Sequence, residues 1–210
     1  MTRSIKRKQS MRIVRFGLGI AAAAAVFGAS VAPLVLAQSA PMSSATTVGQ
    51  TTSMQALTLA ETEGPYFKAN SPEATSLVSD GMAGTLTTIT GQVLDQNGQP
   101  VANALLDFWQ ANASGAYDNS GYTLRGHQYT DANGYYTLTT IQPGLYPGRT
   151  EHIHVKVQAP NGPVLTTQLF FPGVAQNTRD SIYDPSLLMT VASNADGTQN
   201  ATFNFVVATA

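Results

Sequence analysis

The segment GLYPGRTEHIHVKV, residues 144–157, holds the most chemically suggestive grouping in the chain. Side chains two apart on a strand leave the same face, so His152 and His154 would project side by side as half of a metal site. An H-x-H pair is a weak signal by itself, since two partly exposed histidines on a solvent face are the commoner arrangement. Arg149 and Glu151 crowd the same turn, however, where a purely structural strand has no need of them. Further ligands must come from a short inventory: cysteine is absent, carboxylates are sparse and His127 is the only other imidazole. Tyrosines number eight. Tyr146 precedes His152 on the turn entering the same strand, and Tyr117 lies in the polar loop of WQANASGAYDNSGY. Two phenolates with two neutral imidazoles favour a hard trivalent ion, Fe(III), over Zn(II) or Cu(I). The same tyrosines also suit amphipathic packing at strand ends. Residue chemistry alone leaves the two readings level.

The elements that must carry these groups read as β. Leu86 to Leu94 is rich in β-branched residues and runs into DQNGQP, a turn cluster. Ala104 to Gln110, Tyr135 to Ile141, His152 to Gln158, Leu165 to Phe171 and Thr202 to Val207 are similar short runs. Between them stand DANG (131–134), PGLYPG (143–148) and APNGP (159–163). Turn signals at such intervals predict an all-β fold, an antiparallel β-sandwich of about eight strands with long functional loops. Glu73 to Ser79 is expected to form at most a helical turn.

Charge and composition narrow the function classes. Without cysteine there are no thiolate zinc sites, iron–sulfur clusters, cysteine nucleophiles or disulfides. Six of the eleven basic residues lie in the first fifteen positions, leaving five scattered cations against all twelve acids. That balance argues against nucleic acid, which needs clustered Lys and Arg. The basic stretch leads into an apolar run ending at Val35-Leu36-Ala37, the layout of a secretory signal peptide cleaved after Ala37. An uncleaved anchor is the alternative, because about 20 apolar residues can span a bilayer. The expected organisation is a signal peptide at 1–37, a flexible Ser/Thr/Ala-rich leader at 38–59 and one sandwich domain at 60–210. Export is expected, with no membrane attachment after cleavage. No G-x-S-x-G elbow or phosphate-binding G-x-x-x-x-G-K-[ST] loop occurs. Arg125, Asp131 and His127 read as structural, and Trp109 as core or pocket wall.

Taken in order, TEGPYF (62–67), FWQANASGAY, GYYTLTTIQPGLYPGR, HIHVKV and LTTQLFFPG (165–173) make the chain similar to the intradiol ring-cleavage dioxygenases. YDPSLLM (183–189) extends the match more faintly. Members of that family use non-haem ferric iron and O2 to open catechols. The resemblance implies that Tyr117, Tyr146, His152 and His154 are iron ligands, Tyr146 being the one displaced when substrate chelates. It implies that Arg149 stabilises developing negative charge, that Gln168 lies against the substrate, and that Gly64, Pro65 and Tyr66 line the pocket mouth. The implied reaction cleaves between the two hydroxyl-bearing carbons and gives a cis,cis-muconate-type dicarboxylate. The implied partners are a small aromatic diol and O2, with homo-oligomerisation left open. Two departures stand out. Only Pro147 and Gly148 separate Tyr146 from Arg149, which trims the wall beside the iron, and Glu151 stands where relatives carry a small residue. The helical dimerisation segment of the catechol branch has no counterpart.

A non-catalytic alternative fits part of the same stretch. Gly91, Asn97 to Val101, Asp131 to Tyr135 and Pro143-Gly144-x-Tyr146 also suit secreted transthyretin-like or carboxypeptidase-regulatory-like sandwiches that only bind or space. That reading explains Tyr146 without iron, but gives no role to Tyr117, to the R-x-x-H-x-H run or to Gln168.

Overall fold

The computed structural model describes residues 54–210; the expected signal peptide and the leader up to residue 53 lie outside them. Nine strands follow one another among the described residues: β1 (Leu86–Asp95), β2 (Leu105–Gln110), β3 (Arg125–Tyr129), β4 (Tyr135–Ile141), β5 (His152–Gln158), β6 (Val164–Phe170), β7 (Thr190–Ser193), β8 (Gln199–Thr202) and β9 (Phe205–Val207). One sheet runs β4-β1-β8-β7, with β9 also on β1; the other runs β3-β2-β5-β6. The all-β sandwich expected from the sequence is what the chain forms. Its pairings are antiparallel except where β8 and β9 run parallel to β1. Among the described residues no helix is long and apolar enough to cross a membrane.

The core lies between the sheets. Leu106 and Phe108 of β2, Ile153, Val155 and Val157 of β5 and Leu169 of β6 meet Ile89, Val93, Leu138, Ala201 and Phe205 from the opposing sheet. Burying such side chains contributes about 1.5–3 kcal/mol each relative to exposure. Because strand side chains alternate, fixing this face inward fixes the other face of the β3-β2-β5-β6 sheet outward.

Three expectations need correction. Glu73 to Ser79 is not a helical turn: it runs extended across both sheets, with bridges from Glu73 to His127 and from Ser76 to Thr139. The end of the leader is docked rather than free. Gln55 N donates to Gln96 O, Thr58 N donates to Val206 O, and the Leu59 carbonyl accepts from the Thr167 hydroxyl. The ordered domain therefore starts before residue 60. Thr202 to Val207 is not one strand but the end of β8 and then β9, both on the same edge of β1, with a break at Phe203 and Asn204. There Phe203 N donates to Thr90 O, while the Asn204 side chain accepts from Gln92 N and so replaces the missing ladder bond. The break is accommodated by Gly91, where a Cβ atom would sit 1.7 Å from the Phe203 carbonyl oxygen. β3 has no β-branched residue and β7 is only four residues long, so neither stands out in the sequence.

Gly91→Ala should therefore force the β8–β9 junction off β1 and destabilise the fold by about 3 kcal/mol or more. Urea unfolding would read this as a lowered midpoint; an unchanged midpoint would mean the junction moves freely.

Candidate metal centre

The outer face of the β3-β2-β5-β6 sheet presents an in-register row with one residue from each strand. Arg125 stands opposite Trp109, Trp109 opposite His154, and His154 opposite Gln168. His154 is thereby held from the side: the Trp109 ring stacks on it at 4.8 Å and 3° between planes. His152 lies two residues back on the same face. Both imidazoles are buried, at 4% and 3% exposure. His152 Nδ1 donates to the Thr150 carbonyl at 2.6 Å, which leaves Nε2 as the lone-pair nitrogen. That Nε2 faces His154 Nε2 at 3.1 Å and the Tyr117 hydroxyl at 3.2 Å.

Two loops deliver the tyrosines. Tyr117 ends a turn in which the Asn112 side chain accepts from the amides of Ser114 and Ala116. This turn presses on the Gly144–Tyr146 segment so closely that a Cβ at Gly115 would lie 2.0 Å from the Leu145 carbonyl oxygen. Gly115 also has φ +81°, a conformation that favours glycine. The contact brings the Tyr117 and Tyr146 rings to 5.9 Å, edge to face. Tyr66 joins them, stacked on Tyr117 at 4.4 Å and with its hydroxyl 2.8 Å from that of Tyr146.

Tyr66 belongs to a strap, residues 59–72, that crosses the outer face from β6 to β3. Glu61 N donates to Thr166 O and His127 N donates to Pro72 O. Between those ends Glu63 pairs with Lys156, and Phe67 packs its edge on Trp109. Gly64 passes closest to the imidazoles: a Cβ there would be 3.6 Å from His154 Cε1. Pro65 is exposed on the turn beside it. Arg125 braces strap and loop together, donating to the Tyr66 carbonyl and twice to the Asp118 carbonyl. It is positioned by Leu124, which takes φ +56° and buries its side chain in the core as the chain enters β3.

On the other flank Arg149 Nη2 donates to Gln168 Oε1 at 2.6 Å, and Gln168 Nε2 donates to the Thr62 carbonyl at 3.0 Å. Arg149 Nε pairs with Asp180 at 2.9 Å. Glu151 turns away, as alternation along the strand requires, and its carboxylate accepts from Gln142. His127 is not part of the cluster; it sits one row along, with Ser71 and Asp107.

Whether this arrangement suits a metal can be tested on its own chemistry. Among the described residues no three His, Cys, Asp or Glu side chains gather as a cation cage. A metal here would therefore need phenol oxygens beside the imidazoles, and Tyr117 supplies one at contact distance. Burial lowers the His152 pKa to about 4, and burial together with His152 holds His154 well below its usual range. Both are consequently neutral at physiological pH, as ligands must be. Burial pushes the Tyr117 phenol well above its ordinary value, with Arg149 and Arg125 opposing. A phenolate there requires a further positive charge close by, which a multivalent cation supplies. The donor set fits a hard cation.

Tyr117, Tyr146, His152, His154, Arg149, Gln168, Gly64, Pro65 and Tyr66 gather on this one face, whereas Glu151 and His127 do not join them. Two contributors, Arg125 and Asp180, were not singled out for the site, and Trp109 was expected as core or pocket wall. Trp109 and Arg125 share the His154 row through a strand register that no local spacing encodes. Asp180 lies in NTRDSIYD, whose only sequence signal is an acid among turn residues.

A family model described as Dioxygenase matches residues 62–209. The chain is 36% identical over 118 residues to the protocatechuate 3,4-dioxygenase beta chain of Burkholderia cepacia, covering 48% of this chain and 50% of that one. It spans about half the length of the curated relatives it matches. Among solved structures it resembles the dioxygenase domain of a dioxygenase carbohydrate-binding protein fusion from Streptomyces sp. SirexAA-E. The identity is 53%, covering 74% of this chain and 100% of that chain, with TM-score 0.72. It also resembles the 3-chlorocatechol 1,2-dioxygenase of Rhodococcus opacus 1CP at 30% identity, covering 73% of each chain, with TM-score 0.69. With the family model spanning nearly the whole sandwich and its candidate centre, the chain belongs to the intradiol ring-cleavage dioxygenase family.

Proposed function

We propose that this domain is a non-haem Fe(III)-dependent dioxygenase acting on a catechol-type diol. The ring is cleaved between the two hydroxyl-bearing carbons, both atoms of O2 enter the product, and a cis,cis-muconate-type dicarboxylate results. The observation that carries this reading is the convergence of the Tyr117 hydroxyl and His154 Nε2 on His152 Nε2, at 3.2 and 3.1 Å, beside Tyr146.

Tyr117, Tyr146, His152 and His154 would hold the iron. When bound, ferric iron supplies Lewis acidity that lowers the pKa of a chelating diol and draws electron density from its ring. The protein groups do the rest. The Tyr146 oxygen, already hydrogen-bonded to Tyr66, offers a place for a proton released by the diol. Arg149, aimed by Gln168 and Asp180, puts a guanidinium where negative charge develops. Trp109 and Phe67 keep water from the back of His154. The Pro147-Gly148 connection, exposed and without bulk, leaves the flank between Tyr146 and Arg149 open to a substituted ring.

Iron-loaded protein should be coloured by tyrosinate-to-iron charge transfer and take up one O2 per diol. Oxygen uptake with a small panel of catechols, with the product identified by mass as diol plus O2, tests this directly. Iron-bound but colourless protein, or no uptake with any diol, would refute it. Tyr146→Phe should keep some iron, shift the visible band and lose at least about tenfold in turnover; unchanged colour and rate would reduce Tyr146 to packing.

Metal removal exposes the cost of burying the histidines. His152 ionises near pH 4 in the folded chain and near about 6.5 when unfolded. Between those values the unfolded chain binds more protons, so the metal-free protein loses stability as pH falls through that window. The loss from His152 alone amounts to ~3 kcal/mol by pH 4. Thermal melts from about pH 7 to pH 4 should fall more steeply for wild type than for His152→Gln. Parallel curves would contradict the assignment.

A further inference from the structure

We propose that Asp180 is a positioning residue that sets the direction of Arg149 and the orientation of His152 through a single buried carboxylate. The inference rests on the dioxygenase reading and adds a residue outside its ligand and substrate groups.

Asp180 lies beyond β6, next to the short 3-10 turn Ala175–Thr178. Its side chain is 1% exposed. Oδ2 accepts from Arg149 Nε at 2.9 Å and from the Thr150 amide at 2.7 Å, while Oδ1 accepts from the Ile182 amide at 2.9 Å. One oxygen thus holds two consecutive residues with different duties. Arg149 points its remaining edge at Gln168, the cross-strand neighbour of His154. The Thr150 carbonyl receives the His152 Nδ1 proton and so fixes which ring nitrogen faces Tyr117.

Apart from the backbone bond from Arg149 N to the Tyr146 carbonyl at 2.9 Å, little else restrains this turn. Pro147 and Gly148 are exposed, and Gly148 has φ +81° with nothing near where a Cβ would be. The side chain of Arg149 has hydrogen bonds only to Asp180 and Gln168. The Thr150 hydroxyl donates to Asn177, from the same segment as Asp180. The Ala175–Ile182 stretch therefore grips the turn from one side, and the carboxylate is its charged contact. Without that charge the guanidinium keeps a neutral partner only and is free to swing toward solvent. A misplacement of about 1 Å at a catalytic group can cost on the order of a hundredfold in rate.

The test is Asp180→Asn in the full chain, combined with Arg149→Lys in a double-mutant cycle. Asp180→Asn should lower kcat by about tenfold to a hundredfold with little change in KM. Because Asn keeps an oxygen to accept the Thr150 amide, the double variant should be little slower than Arg149→Lys alone; losses that multiply in full would make Asp180 merely structural and overturn the proposal. A second readout needs neither iron nor turnover. In ¹H–¹⁵N spectra of the metal-free protein, the Arg149 Nε–H should exchange slowly and lose that protection in Asp180→Asn. An Arg149 Nε–H that exchanges as fast as that of exposed Arg179 in the wild type would refute the anchoring. If Asp180→Asn does not fold, Asp180→Glu, which keeps the charge but displaces it, should still lower kcat, and full activity there would also refute it. Protection without turnover in any form would instead sink the dioxygenase reading and leave the anchoring intact.

Discussion

The burial of Ile153, Val155 and Val157 is the constraint from which the site follows. All three are completely buried between the sheets. Since the side-chain period of a strand is two, that commitment puts His152 and His154 on the opposite face. A slip of one residue would place imidazoles in the apolar core and valines on the outer face, exchanging buried apolar area for buried polar groups. The register with β2 and β6 then selects the neighbours of His154, namely Trp109 and Gln168. Core packing and site geometry are two sides of one strand.

Electrostatically the site is short of carboxylates. Its two imidazoles are buried and the Tyr117 phenol half-buried, and the charges beside them are the cations Arg125 and Arg149 and the Asp180 carboxylate that pairs with Arg149. Arg125 satisfies its donors with the carbonyls of Tyr66 and Asp118, while Arg149 uses Asp180 and Gln168. The protein therefore surrounds the imidazoles mainly with guanidinium charge and neutral lone pairs, the one nearby carboxylate being taken up by Arg149. Such an environment disfavours imidazolium and rewards anionic oxygen, whether phenolate or deprotonated diol. The acids nearest in sequence are turned elsewhere: Glu151 to Gln142, and Asp118 to its own loop amides.

Much of this was legible along the chain wherever the signal is local. HIHVKVQ announces both the strand and the facing of its histidines, and Tyr135 to Ile141 forms the strand its β-branched residues suggest. Residue chemistry offered Tyr117 as a candidate that only the family pattern favoured, because its approach to His152 depends on the docking of the Gly115 turn against Leu145. The non-local features were hidden. The break at Phe203 answers to Gly91, more than a hundred residues earlier, and Asp180 matters only through its contact with a turn thirty residues before it. Residues 73–79 have the composition of a helical turn, yet bridges to β3 and β4 satisfy their backbone in extended form.

The strap draws its footing from a strand 148 residues further along the chain. Thr58 exchanges two hydrogen bonds with Val206, and Leu59 and Glu61 are tied to β6. As the chain emerges from the ribosome, the segment bearing Gly64 and Tyr66 precedes β9 yet waits for it before its start can be pinned. Contacts of such long sequence separation form late and slowly. Completion of this face is thus deferred until β9 has been made, and a nascent chain stalled before Val206 would carry both imidazoles without the full anchorage of the strap that covers them.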